Sequence, residues 1–174
     1  MKVQATILGF LAVVLVSEGY RYAHVDPPRK AATQTKPSIP PILIQAIIDQ
    51  ESSGNPTATR FEPHLYQRYR SKLPRNEADA RMMVSSIGLM QVIPYYHLRD
   101  CNLKHYSELF DEGTNRRCGE KVLKRCLDRH ATKANRIQSA LSCYNGGSMQ
   151  YAASVLSRVA LATLELDPAS NENS

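Results

Sequence analysis

The 174-residue sequence lacks several patterns that would point to particular folds or partners. No run rich in Val, Ile and Thr alternates apolar with polar residues as a half-buried strand does, which argues against a fold built on a β-sheet. The net charge is +6, but no long Lys/Arg run with interleaved aromatics is present, so nucleic acid is a weak candidate partner. No internal repeat occurs, and no two cysteines form a C-x-x-C pair.

The composition is that of an ordinary globular protein with one domain and a substantial core. The moderate basic surplus suits an anionic polymer such as a bacterial cell wall. Residues 38–166 carry the helical periodicity and form the expected domain. Residues 20–37 are polar, contain two adjacent prolines and are expected to be a linker, and residues 167–174 are expected to be a disordered tail.

Residues 1–19 have the pattern of an export signal. Lys2 supplies the positive end, Thr6 to Val16 is an apolar run without charge, and residues 17–19 place small side chains where a signal peptidase reads them. The run is short for a membrane span. Because the cleavage site departs from A-x-A, a retained membrane anchor is the alternative. Both predict an exported protein, in the periplasm or anchored to the inner membrane.

Four cysteines are present, at positions 101, 118, 126 and 143. An even count in an exported chain predicts two disulfides, with three possible pairings. Cys126 and Cys143 lie on consecutive helices of an apparent antiparallel pair, so we expect them to meet, which leaves Cys101 for Cys118.

A zinc site is the competing interpretation of one cysteine. His97, Cys101 and His105 recur every four residues and are zinc-ligand types. No second ligand pair has matching spacing, so we expect no metal and no cofactor.

Helical spacing predicts an all-α fold. Pro63 opens a short helix, Asn76 caps another, and Gly88–Ile93 is a short apolar segment stopped by Pro94. A very small β ribbon is expected between Thr57 and Phe61. Residues 96–114 read as mostly loop, with one turn near 107–110. The remaining helices are predicted at 115–130, at 134–145 with Ile137, Ala140 and Leu141 as its apolar stripe, and at 148–164.

The stretch from Ile39 to Pro56 is the strongest single signal. Ile44, Ile47 and Ile48 follow helical spacing, and the next position in that series is Glu51. Glu51 is therefore expected at the last turn of a core helix, on the face that meets other protein. Desolvation there raises the pKa of a carboxyl, which suits a general acid near neutral pH. The ordinary alternative is a rim residue or a salt-bridge partner.

Two further stretches carry candidate site residues. In residues 85–91, Gly88 removes a side chain where backbone must come close to something, and Gln91 offers donors and an acceptor to sugar hydroxyls. A glycine-started helix with buried Leu and Met is the alternative. In residues 140–147, Tyr144 extends the stripe of Ile137, so its phenol could hydrogen-bond Glu51. A core tyrosine followed by Asn145 as an ordinary cap is the alternative.

Taken in order, E-S at 51–52, G-L-M-Q at 88–91 and S-C-Y-N-G-G at 142–147 resemble the three motifs of the soluble lytic transglycosylase family. That family has the lysozyme-like, goose-type helical fold, and the similarity runs from about Ser38 to Val159. Residues 60–64, R-F-E-P-H, resemble a variant seen in phage and phage-related muramidases. The cysteine before Tyr144 departs from the usual alanine. The resemblance implies that Glu51 is the catalytic acid and that the substrate-binding residues, some of which would hold Glu51, are Ser52, Ser85, Gly88, Met90, Gln91, Tyr144 and Asn145.

The resemblance also implies a reaction. Glu51 would protonate the glycosidic oxygen between N-acetylmuramic acid and N-acetylglucosamine of peptidoglycan. It would then accept the proton of the muramoyl C6 hydroxyl, which closes onto C1 as a 1,6-anhydro ring. One carboxylate suffices because the sugar supplies the nucleophile, whereas most glycosidases use two.

Two other functions stay open. A hydrolytic muramidase on the same fold would need a second carboxylate to place water, for which Glu62, Asp100 and Asp111 are candidates. A non-catalytic wall-binding or assembly module would have lost the acid, which is present here. The sequence does not choose among a periplasmic remodelling enzyme, a secretion or conjugation machine, and a phage lysis or virion protein.

Overall fold

A computed structural model describes residues 39–166, which contain seven α-helices, two short strands and two 3₁₀ turns. The predicted signal or anchor (1–19), linker (20–37) and tail (167–174) lie outside the described residues. The strands are Thr59–Phe61 (β1) and Ser85–Ile87 (β2), and the 3₁₀ turns are Arg70–Lys72 and Tyr106–Phe110. The helices are Pro41–Ser52 (α1), Pro63–Tyr69 (α2), Glu77–Met83 (α3), Pro94–Cys101 (α4), Glu112–Arg129 (α5), Arg136–Tyr144 (α6) and Met149–Glu165 (α7).

Helix α1 begins and ends where its sequence allows. Pro41 occupies the first turn, where an intrahelical N–H is not needed. The helix ends at Ser52 because Ser53 takes the left-handed conformation, with φ 53°, and donates its N–H to the Asp49 carbonyl. Ile44, Ile47 and Ile48 are buried, so the predicted apolar stripe of this helix is confirmed.

The core is formed where the longer helices pack together. Helix α1 packs against α7, and α6 packs against both α5 and α7. Each fully buried aliphatic side chain stabilises the fold by roughly 1.5–3 kcal/mol relative to exposure. The largest of these side chains are those of Ile44, Ile47, Val84, Ile87, Met90, Leu109, Leu123, Leu141 and Val155.

A two-stranded antiparallel ribbon lies beside this core. Thr59 pairs with Ile87 and Phe61 with Ser85. The chain then turns through residues 88–91, and Val92 pairs back with Ile87. The predicted ribbon is therefore confirmed at β1. Residues 88–91 form a turn and Val92 a bridge, so the helical alternative for this apolar stretch is wrong. Strand β2 has only three residues, too few to show alternation in the sequence.

Three further details correct the sequence-based prediction. Residues 96–101 are helical rather than loop, because Pro94 is the first residue of α4 instead of a stop signal. Helix α5 begins at Glu112, three residues early, because the Asp111 carboxylate caps the Thr114 N–H at 2.8 Å. Ile137 is 48% exposed because it lies in the first turn of α6, while the rest of that stripe is buried.

Two disulfides fasten the helices. Cys101–Cys118 joins α4 to α5, and Cys126–Cys143 joins α5 to α6, which confirms the expected pairing. With Cys101 in a disulfide, the zinc interpretation of His97, Cys101 and His105 loses its thiolate. Between residues 39 and 166, no group of three or more potential ligand side chains is arranged to hold a metal ion. No helix in the same range is long and apolar enough to cross a membrane.

Candidate active site

The end of α1 opens onto a cavity of about 580 Å³. Its walls come from β1, the 88–91 turn and helices α4, α5 and α6. Four of the predicted site residues line it: Glu51, Gln91, Tyr144 and Asn145. The other four do not, namely Ser52, Ser85, Gly88 and Met90. The cavity also contains residues that the sequence did not single out as a group, including Arg60, Ser86, Tyr96, His97, Val122, Arg125 and Arg129.

The Glu51 carboxyl is the candidate acid of this cavity. It lies at the last turn of α1, at the end of the buried stripe, and is partly buried. Burial raises the pKa of this carboxyl above its ordinary value of 4.5. The nearby Tyr151 hydroxyl and the Arg60 charge lower the pKa, but by less. The carboxyl is thus shifted in the direction that a general acid needs.

Tyr151 of α7 is a polar neighbour of Glu51 that the sequence analysis missed. Its side chain is buried, and its hydroxyl makes no hydrogen bond of standard geometry with any described residue. The hydroxyl nevertheless lies near enough to the Glu51 carboxyl to stabilise the charged form. The sequence signal was available, because Tyr151 and Val155 stand four residues apart on a buried stripe of α7.

Tyr144 has a different partner from the one expected. Its hydroxyl donates to the Met90 carbonyl at 2.7 Å, so the expected hydrogen bond from Tyr144 to Glu51 is absent. Burial, and then the charge of Glu51, raises the pKa of the Tyr144 hydroxyl well above its ordinary value. The two groups are therefore within electrostatic reach, and the tyrosine holds the wall beside the acid.

The 88–91 turn is fastened from several sides. Ser52 donates its hydroxyl to the Leu89 carbonyl at 2.9 Å, which ties the end of α1 to the turn. Gln91, in the left-handed conformation with φ 47°, donates its amide to the carbonyls of Ala58 and Gly88. Ser52 and Tyr144, although taken from separate motifs, both bind this turn through its carbonyl oxygens.

Asn115 of α5 completes the support and was also missed. It accepts from the Met90 N–H and donates to the carbonyls of Ile87 and Leu109, each at 2.8 Å. A side chain on Gly88, with φ +75°, would meet the Asn115 amide at 2.2 Å and the Leu109 carbonyl at 2.7 Å. The backbone at Gly88 therefore makes the close approach that the sequence predicts, and the groups that it approaches belong to Asn115 and Leu109. Asn115 lies three residues before buried Cys118, and this spacing was the available signal.

The two serines of β2 face opposite sides, as neighbours on a strand do. Ser85 donates its hydroxyl to the Arg81 carbonyl, away from the cavity. Ser86 lines the cavity and donates to a Glu62 carboxylate oxygen at 3.2 Å. Ser86, and not Ser85, is therefore the serine of β2 that faces the cavity.

Glu62 is the second carboxylate of the cavity. Its side chain is 15% exposed and accepts from Arg60 at 2.8 Å as well as from Ser86. Asp100 and Asp111 are not among the lining residues. Asp100 is bound by Arg125, which lowers its pKa, and the Asp111 carboxylate caps α5 at Thr114, which lowers its pKa.

The comparisons with known proteins agree with this architecture. The family model described as "Transglycosylase SLT domain" matches residues 29–163, which is most of the chain. Neither the curated proteins nor the solved structures yield a match. The SLT domain is mainly α and lysozyme-like, like the fold described here, and its family members are lytic transglycosylases of peptidoglycan. By this match, the chain belongs to the transglycosylase SLT domain family.

Proposed function

We propose that this protein cleaves the MurNAc-β-1,4-GlcNAc bond of peptidoglycan as a lytic transglycosylase, with Glu51 acting first as acid and then as base. The observation that carries the proposal is the partly buried Glu51 carboxyl, its pKa raised by burial, at the wall of a cavity large enough for sugar residues. The raised pKa favours the protonated carboxyl that a general acid needs, and protonation of the glycosidic oxygen by that carboxyl needs no metal.

The residues around Glu51 fit separate parts of the reaction. Glu51 donates its proton to the glycosidic oxygen and then receives the proton of the muramoyl C6 hydroxyl as that oxygen bonds to C1. Gln91 and Asn145 line the same cavity. Gln91 offers its amide oxygen as an acceptor, because its NH2 group is bound to the carbonyls of Ala58 and Gly88, while Asn145 offers an amide group to hydroxyls and N-acetyl groups. Ser52 and Tyr144, with Gly88, Met90 and Ser85 behind them, keep the wall in place.

The test is product analysis by mass spectrometry after digestion of purified peptidoglycan. A 1,6-anhydromuramoyl end, lighter by one water than a reducing end, is expected from the wild type. The Gln side chain of Glu51→Gln keeps the shape of the carboxyl but carries no acidic proton. The variant should therefore slow product formation by roughly 10²–10⁴-fold, the usual contribution of a general acid–base group. Retention of most of the activity would remove Glu51 from this role. Absence of any cleavage product from the wild type would favour a non-catalytic wall-binding module.

Hydrolysis is the second candidate function, and Glu62 is the observation that favours it. A carboxylate held by Arg60 and Ser86 in the same cavity could orient a water instead of leaving C1 to the C6 hydroxyl. Digestion in ¹⁸O-water separates the two reactions, because only hydrolysis places the label at the new reducing end. Under hydrolysis Glu62→Gln abolishes labelled product, whereas under transglycosylation it leaves anhydro product as the main species.

We propose export for the cellular setting, with residues 1–19 as signal or anchor. Disulfides form in oxidising compartments, and a peptidoglycan-directed domain is compatible with export. Residues 20–37 and 167–174 would then flank the domain at 38–166 as linker and tail, and secretion, conjugation or phage machinery are the candidate partners. Fractionation of cells that produce the full chain, with sequencing of its N-terminus, distinguishes a cleaved signal from a retained anchor.

A further inference from the structure

One guanidinium on the cavity wall has no carboxylate partner in the part of the chain that the structure describes. Arg125 and Arg129 stand four residues apart on α5, and both line the cavity. Arg125 pairs with Asp100. Arg129 makes no ion pair with any carboxylate within residues 39–166, and its one side-chain hydrogen bond goes to the Cys143 sulfur at 3.5 Å. Sulfur is a weak acceptor, so most of the donor capacity of Arg129 is unused.

The surrounding charges leave this wall positive. Three arginines and two glutamates line the cavity. The Glu62 carboxylate is bound by Arg60 of β1, and burial favours the neutral form of Glu51. No described carboxylate is therefore placed to compensate Arg129, and an anionic group of the ligand is its natural partner.

The glycan of peptidoglycan offers few anions of its own. Its hydroxyls and N-acetyl groups are neutral, and the negative charges lie on the carboxylates of the stem peptide, which is joined to the lactyl group of each muramoyl residue. Where the peptide has been removed, the lactyl group itself ends in a carboxylate. The two sources share one chemistry, a carboxylate on the lactyl side of the muramoyl residue.

We propose that Arg129 binds this carboxylate and thereby distinguishes muramoyl residues from N-acetylglucosamine residues. The inference rests on the proposed function, because it takes peptidoglycan as the substrate. The contact lies away from the bond that is cleaved, so it acts on binding of the substrate. Its removal raises KM and leaves kcat nearly unchanged.

The experiment compares wild type with Arg129→Gln on three soluble substrates. The first is glycan with intact stem peptides, the second is the same glycan with its peptide carboxylates converted to neutral methylamides, and the third is glycan from which an amidase has removed the peptides. The matched control is Arg117→Gln on the same helix, where the guanidinium binds Thr114 and does not line the cavity. Thermal unfolding of each variant establishes that it is folded.

On the intact substrate, Arg129→Gln is expected to raise KM about tenfold, a typical effect of losing a charge-assisted hydrogen bond, while Arg117→Gln matches wild type. On the neutralised substrate, wild type should fall to the level of the variant. A difference that persists on the peptide-free substrate identifies the lactyl carboxylate as an additional ligand, and its disappearance there assigns the contact to the peptide alone.

Two results overturn the inference. Equal KM values for wild type and Arg129→Gln on the intact substrate would show that no carboxylate is bound. An undiminished difference on the neutralised substrate would show that Arg129 acts through shape and not through charge. Inactivity of the wild type on all three substrates is a separate outcome, which overturns the proposed function and the inference with it.

Discussion

At the scale of single residues, Glu51 illustrates a conflict between catalysis and stability. Its pKa in the folded protein is raised above the ordinary 4.5 because burial penalises the charged form. The contribution of this group to stability is therefore fully present below the unfolded pKa and is lost as pH rises through the folded pKa. Ionisation of the Glu51 carboxyl therefore lowers the stability of the fold.

Replacing Glu51 by neutral Gln is consequently expected to raise stability while it removes activity. The free energy of unfolding of Glu51→Gln should exceed that of wild type near neutral pH, and the difference should vanish on acidification below the ordinary pKa. Urea denaturation across the pH range measures this. Glu165→Gln, which removes an exposed carboxyl at the end of α7, is the control for the loss of one negative charge. A variant less stable than wild type at neutral pH would contradict the argument.

The two tyrosines near Glu51 are expected to respond differently to loss of their hydroxyls. Tyr151 stabilises the charged form of Glu51, so Tyr151→Phe should move the alkaline limb of kcat/KM against pH to higher pH. Tyr144→Phe removes the donor to the Met90 carbonyl and should lower stability by about 1–3 kcal/mol, because that carbonyl is left buried and unpaired. pH–rate profiles and denaturation curves of both variants test this, and exchanged phenotypes would contradict it.

The residue-scale predictions from sequence succeeded where position on a helix face was enough. Helical spacing placed Glu51 at the end of a buried stripe, and the direction of its pKa shift followed. The identity of hydrogen-bond partners was beyond this reasoning, since a helical pattern shows which face is buried but not what lies opposite. Helical spacing therefore did not identify the Met90 carbonyl as the hydrogen-bond partner of Tyr144. It also did not show that Ser86, and not Ser85, lines the cavity.

At the scale of elements, the 88–91 turn depends on close packing against α5. A side chain on Gly119 would approach the Met90 side chain at 2.5–2.9 Å, closer than real contacts allow. Gly119→Ala should therefore destabilise the protein by roughly 1–3 kcal/mol through overpacking, although alanine is favoured over glycine in a helix interior. Gly113→Ala is the matched control on the same helix.

The control should be neutral or stabilising by up to about 1 kcal/mol, because the nearest group to a side chain at Gly113 is the flexible Arg117 guanidinium at 3.1 Å. Chemical denaturation of both variants gives the comparison. Adding Met90→Ala to Gly119→Ala should recover part of the loss that Gly119→Ala causes, since it removes the opposing atoms. Equal stabilisation by both glycine substitutions would contradict this prediction, because it would show that Met90 can move away from the new side chain without cost.

Element boundaries were predictable only where local signals had a single meaning. The start of α1 at Pro41 and the 3₁₀ turn at 106–110 followed from such signals. Pro94 is ambiguous, because proline both stops a preceding helix and opens a new one. The prediction took it as a stop, whereas it is the first residue of α4. Strand β2 exists through its pairing with β1, a contact between distant residues that local spacing does not encode.

At the scale of the whole molecule, the two disulfides join three consecutive helices around one wall of the cavity. Each closes a loop with the same sequence separation of 17 residues. Their pairing was predictable because consecutive antiparallel helices bring Cys126 and Cys143 together. The role of that pair as cavity lining was not, because the cavity is defined jointly by the 88–91 turn, α4, α5 and α6.

Equal loop lengths allow a matched comparison of the two disulfides. In the chain-entropy model each contributes about 3 kcal/mol, so Cys101→Ala with Cys118→Ala, and Cys126→Ala with Cys143→Ala, should lower the free energy of unfolding by similar amounts. Activity should separate them. Cys126 and Cys143 line the cavity and Arg129 bonds to the Cys143 sulfur, whereas neither Cys101 nor Cys118 lines it. We therefore expect only the second double variant to raise KM on intact peptidoglycan when both are assayed well below their melting temperatures. Equal kinetic effects would show that the disulfides act only through global stability.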